Sequence, residues 1–134
     1  MATPTSTPTA TQGVAARVQA QASTRRGAKT WLRERATALA LVPLSVWFLL
    51  SAVSLAGAPY AEARAWLAGP FNTTAMLLLV VVLFEHARLG VRVIVEDYVH
   101  REPVKLAALL LTDFAAAALG LACVVAVLKI ALGS

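Results

Sequence analysis

No charged residue stands between Arg35 and Glu62, between Arg64 and Glu85, or between Asp113 and Lys129. Three long, mainly apolar runs in so short a chain constrain its fold more than any other feature. A run of about 20 apolar residues crosses the ~30 Å hydrocarbon core of a bilayer as a helix. Within that core each backbone group must find its partner inside the segment or a closed barrel. The sequence therefore predicts an all-α membrane protein with three transmembrane helices, over about residues 36–56, 72–95 and 104–132. The composition, 59% hydrophobic and 14% charged, and the mean hydropathy of +0.72 exclude an ordinary soluble domain.

Residues 1–28 are rich in Thr, Ala, Pro and Ser and hold no acid. They are expected to form a flexible tail ahead of a membrane domain at 29–134. Without an apolar h-region they do not read as a secretory signal. Their basic, acid-free character also suits an organellar transit peptide, but Met1 is present and favours a retained tail. The net charge of +5 comes largely from Arg17, Arg25, Arg26, Lys29, Arg33 and Arg35, set against Glu34. Beside an apolar run, such a cluster sets orientation or meets anionic lipid; nucleic acid is the poorer partner. Trp31 suits the headgroup level. Pro43 is expected to kink the first span, with Trp47 on its side. Residues 57–70 read as a loop with a short interfacial helix between Pro59 and Pro70. That loop balances Arg64 with Glu62, so the positive-inside rule puts the N-terminus in the cytoplasm or an organellar matrix. Asn72 or Thr73 can cap the second span, and Pro103 can open the third. Ala115–Ala118 with Gly120 offers a small-residue packing face. Lys129 can snorkel to the outer surface. Cys123 is the single cysteine, so it forms no disulfide within the chain and reads as a small apolar residue.

The chemistry is concentrated between Glu85 and Tyr98. At about 100° per residue, Gly90 and Asp97 share the helix face of His86, as do Val82 and Val93. Glu85, Arg88, Arg92 and Glu96 fall on another stripe, spaced for Glu85–Arg88 and Arg92–Glu96 pairs. Ionisable groups inside a span are costly, so each is a candidate functional site. His86 has three readings: a hydrogen bond to a neighbouring helix, a haem ligand, or a proton relay. Gly90, one turn on, would let a flat, bulky group approach the backbone. His100 is about 21 Å further along a helix and cannot serve the same iron, so a second haem ligand would come from another protein chain. Asp97 sits where the helix dipole disfavours a carboxylate. Beside it, the Tyr98 phenol could hydrogen-bond a quinone carbonyl at the membrane edge. Asp113 in the third span is expected neutral or paired across helices, with a structural hydrogen bond as its main reading. There is no phosphate loop, metal-ligand cluster or nucleophile–base pair, so the chain alone has no means of substrate chemistry.

His86-Ala-Arg-Leu-Gly90 followed by Glu96-Asp-Tyr-Val99, between the second and third of three spans, resembles the small hydrophobic membrane-anchor family of succinate dehydrogenase, respiratory complex II. Glu34-Arg-Ala-Thr-Ala38 is similar to the segment that leads that family into its first span. The likeness covers about residues 31–132. It implies a helical bundle formed with a second membrane anchor of the cytochrome b type, the pair holding an iron–sulfur protein and a flavoprotein at the inner surface. It implies that His86 supplies one axial ligand of a shared haem b, with Gly90 packing beside the haem. Tyr98 with Asp97 would bind ubiquinone, and Arg35 is a candidate neighbour of the haem propionates or the quinone. A bacterial inner membrane is the implied location, and the mitochondrial inner membrane is second. The readings outside it are a non-redox three-span accessory or transporter component and the anchor of a fumarate reductase.

Overall fold

Helices account for nearly all of the residues, 10–133, that the computed structural model describes. They are α1 (Ala10–Ser54), α2 (Tyr60–Ala68), α3 (Pro70–Tyr98) and α4 (Glu102–Leu132). The chain divides after Arg33 into two units, Met1–Arg33 and Glu34–Ser134. In the first, residues expected to form a flexible tail are helical from Ala10 onward, while residues 1–9 of that tail lie outside the described residues. Ala, Gln and Arg are good helix formers, and no proline stands between Pro8 and Pro43 to interrupt them. The described side chains from Gly13 to Arg33 are exposed.

In the second unit, α1 stays helical through Pro43 and ends just short of the expected boundary. The expected short helix after the first span is α2. A single residue, Gly69, separates it from α3, and the two helices are bent by 87°. Pro70 explains the break, because it disfavours helical geometry in the residue before it. Gly69 accordingly has φ −61° and ψ 134°, and Pro70 occupies the first turn of α3. This corrects the expectation that Asn72 or Thr73 caps that helix. Gly69 is the N-cap residue and makes no side-chain cap. Asn72 Nδ2 donates backward to the Trp66 carbonyl at 2.7 Å, and Thr73 Oγ1 to the Leu67 carbonyl at 2.6 Å. Both satisfy carbonyls at the end of α2 that have no partner within the helix.

Proline also opens α4, in the first turn. Gly133 closes it in the left-handed region at φ 78°, its N–H bonded to the Lys129 carbonyl, a position where glycine carries no steric penalty. The α4 C-terminus meets α2, where the Arg64 guanidinium lies so near Gly133 that a Cβ there would stand 2.8 Å from it.

Two of the described helices are long and apolar enough to cross a membrane, and α2 with α3, read as one broken span, makes a third. Only Leu67, Leu79 and Leu89 are buried hydrophobics among the described residues. Leu39, Val53, Leu111 and Phe114 are each more than 70% exposed. With so little apolar surface covered by the chain itself, the rest is left to hydrocarbon or to other helices.

Candidate functional site

Two faces of α3 carry polar side chains that meet the neighbouring helices. The first looks toward α1, which runs antiparallel to it: Thr37 meets His86 near one end, and Trp47 meets Phe71 near the other. The Trp47 indole stacks on Trp66 of α2 with ring centroids 5.6 Å apart and lies edge-on to Phe71 at 6.2 Å. Both arrangements are favoured by the ring quadrupoles. Inward of them is an apolar groove of about 520 Å³, lined by Pro43, Leu44, Trp47, Phe71 and Leu78 among others. Pro43 and Trp47 thus share a side of α1, as their spacing predicts.

His86 closes this face at the end away from Phe71. Its ring is half-buried, and Nδ1 lies 3.0 Å from Thr37 Oγ1. The hydrogen bond to a neighbouring helix, one of the three readings of this histidine, is therefore present. It engages Nδ1 and so leaves the ligand chemistry of Nε2 open. Gly90, one turn on, has open space around it: a Cβ there would meet nothing within 4 Å. Thr37 lies in the Glu34–Ala38 segment that resembles the family's entry to its first span, but nothing in the sequence paired it with His86. Only the antiparallel packing of α1 on α3 identifies it.

The second face looks toward α4. Arg88 holds Glu85 with two parallel bonds, Nε to Oε2 at 3.0 Å and Nη2 to Oε1 at 2.9 Å, the strong bidentate arrangement of a guanidinium on a carboxylate. The same guanidinium reaches Asp113 Oδ1 at 3.3 Å, while Arg92 Nη2 bonds Asp113 Oδ2 at 2.9 Å. Two arginines and two carboxylates therefore close a neutral network between the helices. The Glu85–Arg88 pair forms as the spacing allowed. Arg92 turns to α4, and its expected partner Glu96 is exposed. A pair made in water is worth little, whereas Asp113, between the helices, would be a costly lone charge. Asp113 is paired across helices, one of the two states expected of it. Below the network, Phe84 lies over Gly120, where a Cβ would come within 3.4 Å of the ring. Ala115 and Ala116 line an adjoining groove with Phe84 and Ala87. The small-residue face of α4 thus packs on α3, as its composition suggested.

Asp97 and Tyr98 are the last two residues of α3, about 16–18 Å beyond His86 at the helical rise. Both are exposed, Tyr98 by 78%. Neither side chain is hydrogen-bonded to another of the described residues. Arg35 is exposed on α1 two residues before Thr37, an offset that turns it away from the His86 side. His100 lies beyond the end of α3, with Nδ1 3.2 Å from the Tyr98 carbonyl. The structure thus brings His86 together with Thr37 and leaves Asp97, Tyr98 and Arg35 apart from them. Among the described residues no group of three or more His, Cys, Asp or Glu side chains could hold a metal ion.

Residues 15–127 match the family model for the transmembrane subunit of succinate dehydrogenase and fumarate reductase. The chain is 36% identical over 78 residues to the succinate dehydrogenase hydrophobic membrane anchor subunit of Rickettsia conorii, covering 58% of this chain and 62% of that one. The subunits of the same name from Rickettsia felis and Rickettsia bellii are 34% identical over 73 residues and 32% over 77. Those matches cover 54% and 58% of this chain, and 61% and 62% of the relatives. The chain therefore spans a little over three-fifths of the length of these curated relatives. No solved structure matches it.

Proposed function

The chain belongs to the family of succinate dehydrogenase/fumarate reductase transmembrane subunits, and on that premise we propose that it is the smaller membrane anchor of a succinate:quinone oxidoreductase. In this reading it holds a flavoprotein and an iron–sulfur protein at the inner face of a bacterial cytoplasmic membrane, with its N-terminus on that side. It shares a haem b with a second, cytochrome b-type membrane anchor and contributes Tyr98 and Asp97 to a ubiquinone site.

The observation that carries this reading is His86: a half-buried imidazole inside a span, held through Nδ1, with open space over Gly90 one turn away. A neutral imidazole bonded at one nitrogen suits a haem ligand at the other. The residues present therefore fit the group. A haem there would supply a one-electron store within the membrane. The chain's own part would be to offer His86 as a ligand to the iron and to leave the Gly90 face open for the ring. Because His100 is remote, a second ligand to that iron would come from the partner anchor.

At the end of α3, Tyr98 projects an exposed phenol that can donate a hydrogen bond to a quinone carbonyl, with the Asp97 carboxylate beside it to support proton delivery. The partner anchor and the iron–sulfur protein would supply the remaining walls of such a site. Arg35, on the other side of α1, would meet a propionate or a quinone only across the partner interface. A fumarate-reducing complex is the second reading, since the family model covers both enzymes and the anchor does not set the working direction.

The test is purification through a C-terminal tag in mild detergent, with identification of the co-purifying chains. A flavoprotein, an iron–sulfur protein and a second small membrane protein are expected. Recovery of the chain alone, or with unrelated partners, would overturn the assignment.

A further inference from the structure

We propose that Thr37 is a positioning residue for His86, fixing the imidazole as its Nδ1–H tautomer and so keeping the Nε2 lone pair available for a metal. The inference rests on the reading of His86 as a haem ligand and deepens it. A threonine hydroxyl has one hydrogen and two lone pairs. Thr37 Oγ1 lies 3.1 Å from the Glu34 carbonyl oxygen, which has no hydrogen to give, so in that contact the hydroxyl is the donor. Its hydrogen is thereby committed to the backbone of its own helix. On that assignment the hydroxyl oxygen accepts in the 3.0 Å contact with His86, and Nδ1 carries the proton. In a neutral imidazole this leaves Nε2 bare, pointing away from Thr37.

The arrangement also orients the ring. Within α3 the imidazole could rotate about its side-chain bonds, but the bond to α1 ties one ring nitrogen to a second helix. An N–H partner at the far nitrogen fixes tautomer and orientation and raises the basicity of the ligating nitrogen. A backbone-anchored hydroxyl does this within the membrane without introducing a further charge, which would be costly at that depth. Thr37 from α1 bonds His86 on this face, and the open Gly90 turn lies one turn on in its own helix. The arginine network lies on the other stripe of α3.

The experiment uses the intact complex, with Thr37→Val, Thr37→Ala, Thr37→Ser and His86→Ala compared with the unaltered chain. Haem content, the haem midpoint potential and the rate of haem loss to an excess of an apo-haem acceptor are measured. His86→Ala is expected to abolish the haem spectrum. Thr37→Val, nearly isosteric, is expected to keep the spectrum but to lose haem about tenfold faster. Its potential should move upward, because a less basic imidazole stabilises ferric iron less. Thr37→Ala is expected to match it, and Thr37→Ser to restore both readouts. Val and Ala variants with unaltered potential and haem loss would overturn the role of Thr37 while leaving the ligand reading intact, provided His86→Ala lacks haem. Full haem in His86→Ala would remove the ligand reading and this inference with it. Failure of Thr37→Ser to recover would likewise overturn the hydroxyl's part.

Discussion

The two faces of α3 solve the problem of polar groups in hydrocarbon in opposite ways. Toward α4, Arg88, Arg92, Glu85 and Asp113 neutralise one another, and Phe84 fills the space that Gly120 leaves. Toward α1, a single histidine has one hydrogen bond at Nδ1, an open turn beside it and an apolar groove further along. The difference teaches where a small membrane protein is complete and where it waits for something else. The ion network ties two helices together with its charges matched inside the chain. An imidazole with one hydrogen bond next to open space has a second ring nitrogen chemically available.

The largest effect is expected from breaking the closed face. Asp113→Ala leaves Arg92 without its carboxylate and Arg88 with Glu85 alone; because these side chains are only part-buried, it should cost about 2–3 kcal/mol, below the ~3–5 kcal/mol of a fully buried pair. The loss would be read from accumulation in the membrane and from thermal denaturation in detergent. Replacing Glu85, Arg88, Arg92 and Asp113 together by apolar residues of similar volume should restore much of that stability. Equal damage from the fourfold replacement would mean that the network contributes more than neutrality. Next in size is Gly120→Leu, which drives a side chain into Phe84 and should cost about 1–3 kcal/mol. Adding Phe84→Ala should recover part of it, and no recovery would contradict the packing of α4 on α3 at this point.

Smaller again is Trp47→Ala on the α1 side, where the stacked and edge-on contacts are worth about 0.5–1.5 kcal/mol each. Its signature should be a lowered denaturation midpoint with the α3–α4 face intact, which cysteine cross-linking between those helices can follow. The smallest effect on stability belongs to Gly90→Ala. A Cβ meets nothing there, so the free chain should gain up to about 1 kcal/mol of helix propensity, while the assembled complex should hold its haem less well. Unchanged haem content would show that no bulky group approaches this turn.

How much of this was legible in the sequence differs between the same two faces. The long apolar helices could be read because extended runs with few charges leave few alternatives. The interfacial helix could be read because Pro59 and Pro70 bracket it. The Glu85–Arg88 pair followed from a spacing of three residues within one helix. The partner of Arg92 did not, because helix spacing offered Glu96 and only the approach of α4 brings Asp113 to 2.9 Å. His86, Gly90 and Asp97 could be placed on one stripe from periodicity, but Thr37 lies 49 residues from His86, and no local rule connects them. The helix from Ala10 is hard to read in the sequence for a different reason. A Thr-, Ala- and Ser-rich composition read as disorder outweighed the steady helix propensity of its Ala, Gln and Arg residues. Pro70 was the overlooked signal at the start of α3, since a proline at a first turn displaces a side-chain cap.

The account turns on the open face, and the most direct measurement is the reduced-minus-oxidised absorbance spectrum of the complex purified with His86→Ala beside that of the unaltered chain. Loss of the haem b band in the variant, with the partner proteins still co-purifying, is the predicted result. An unchanged haem band in that assembled variant would contradict the account, leaving His86 as a hydrogen-bonding residue between two helices.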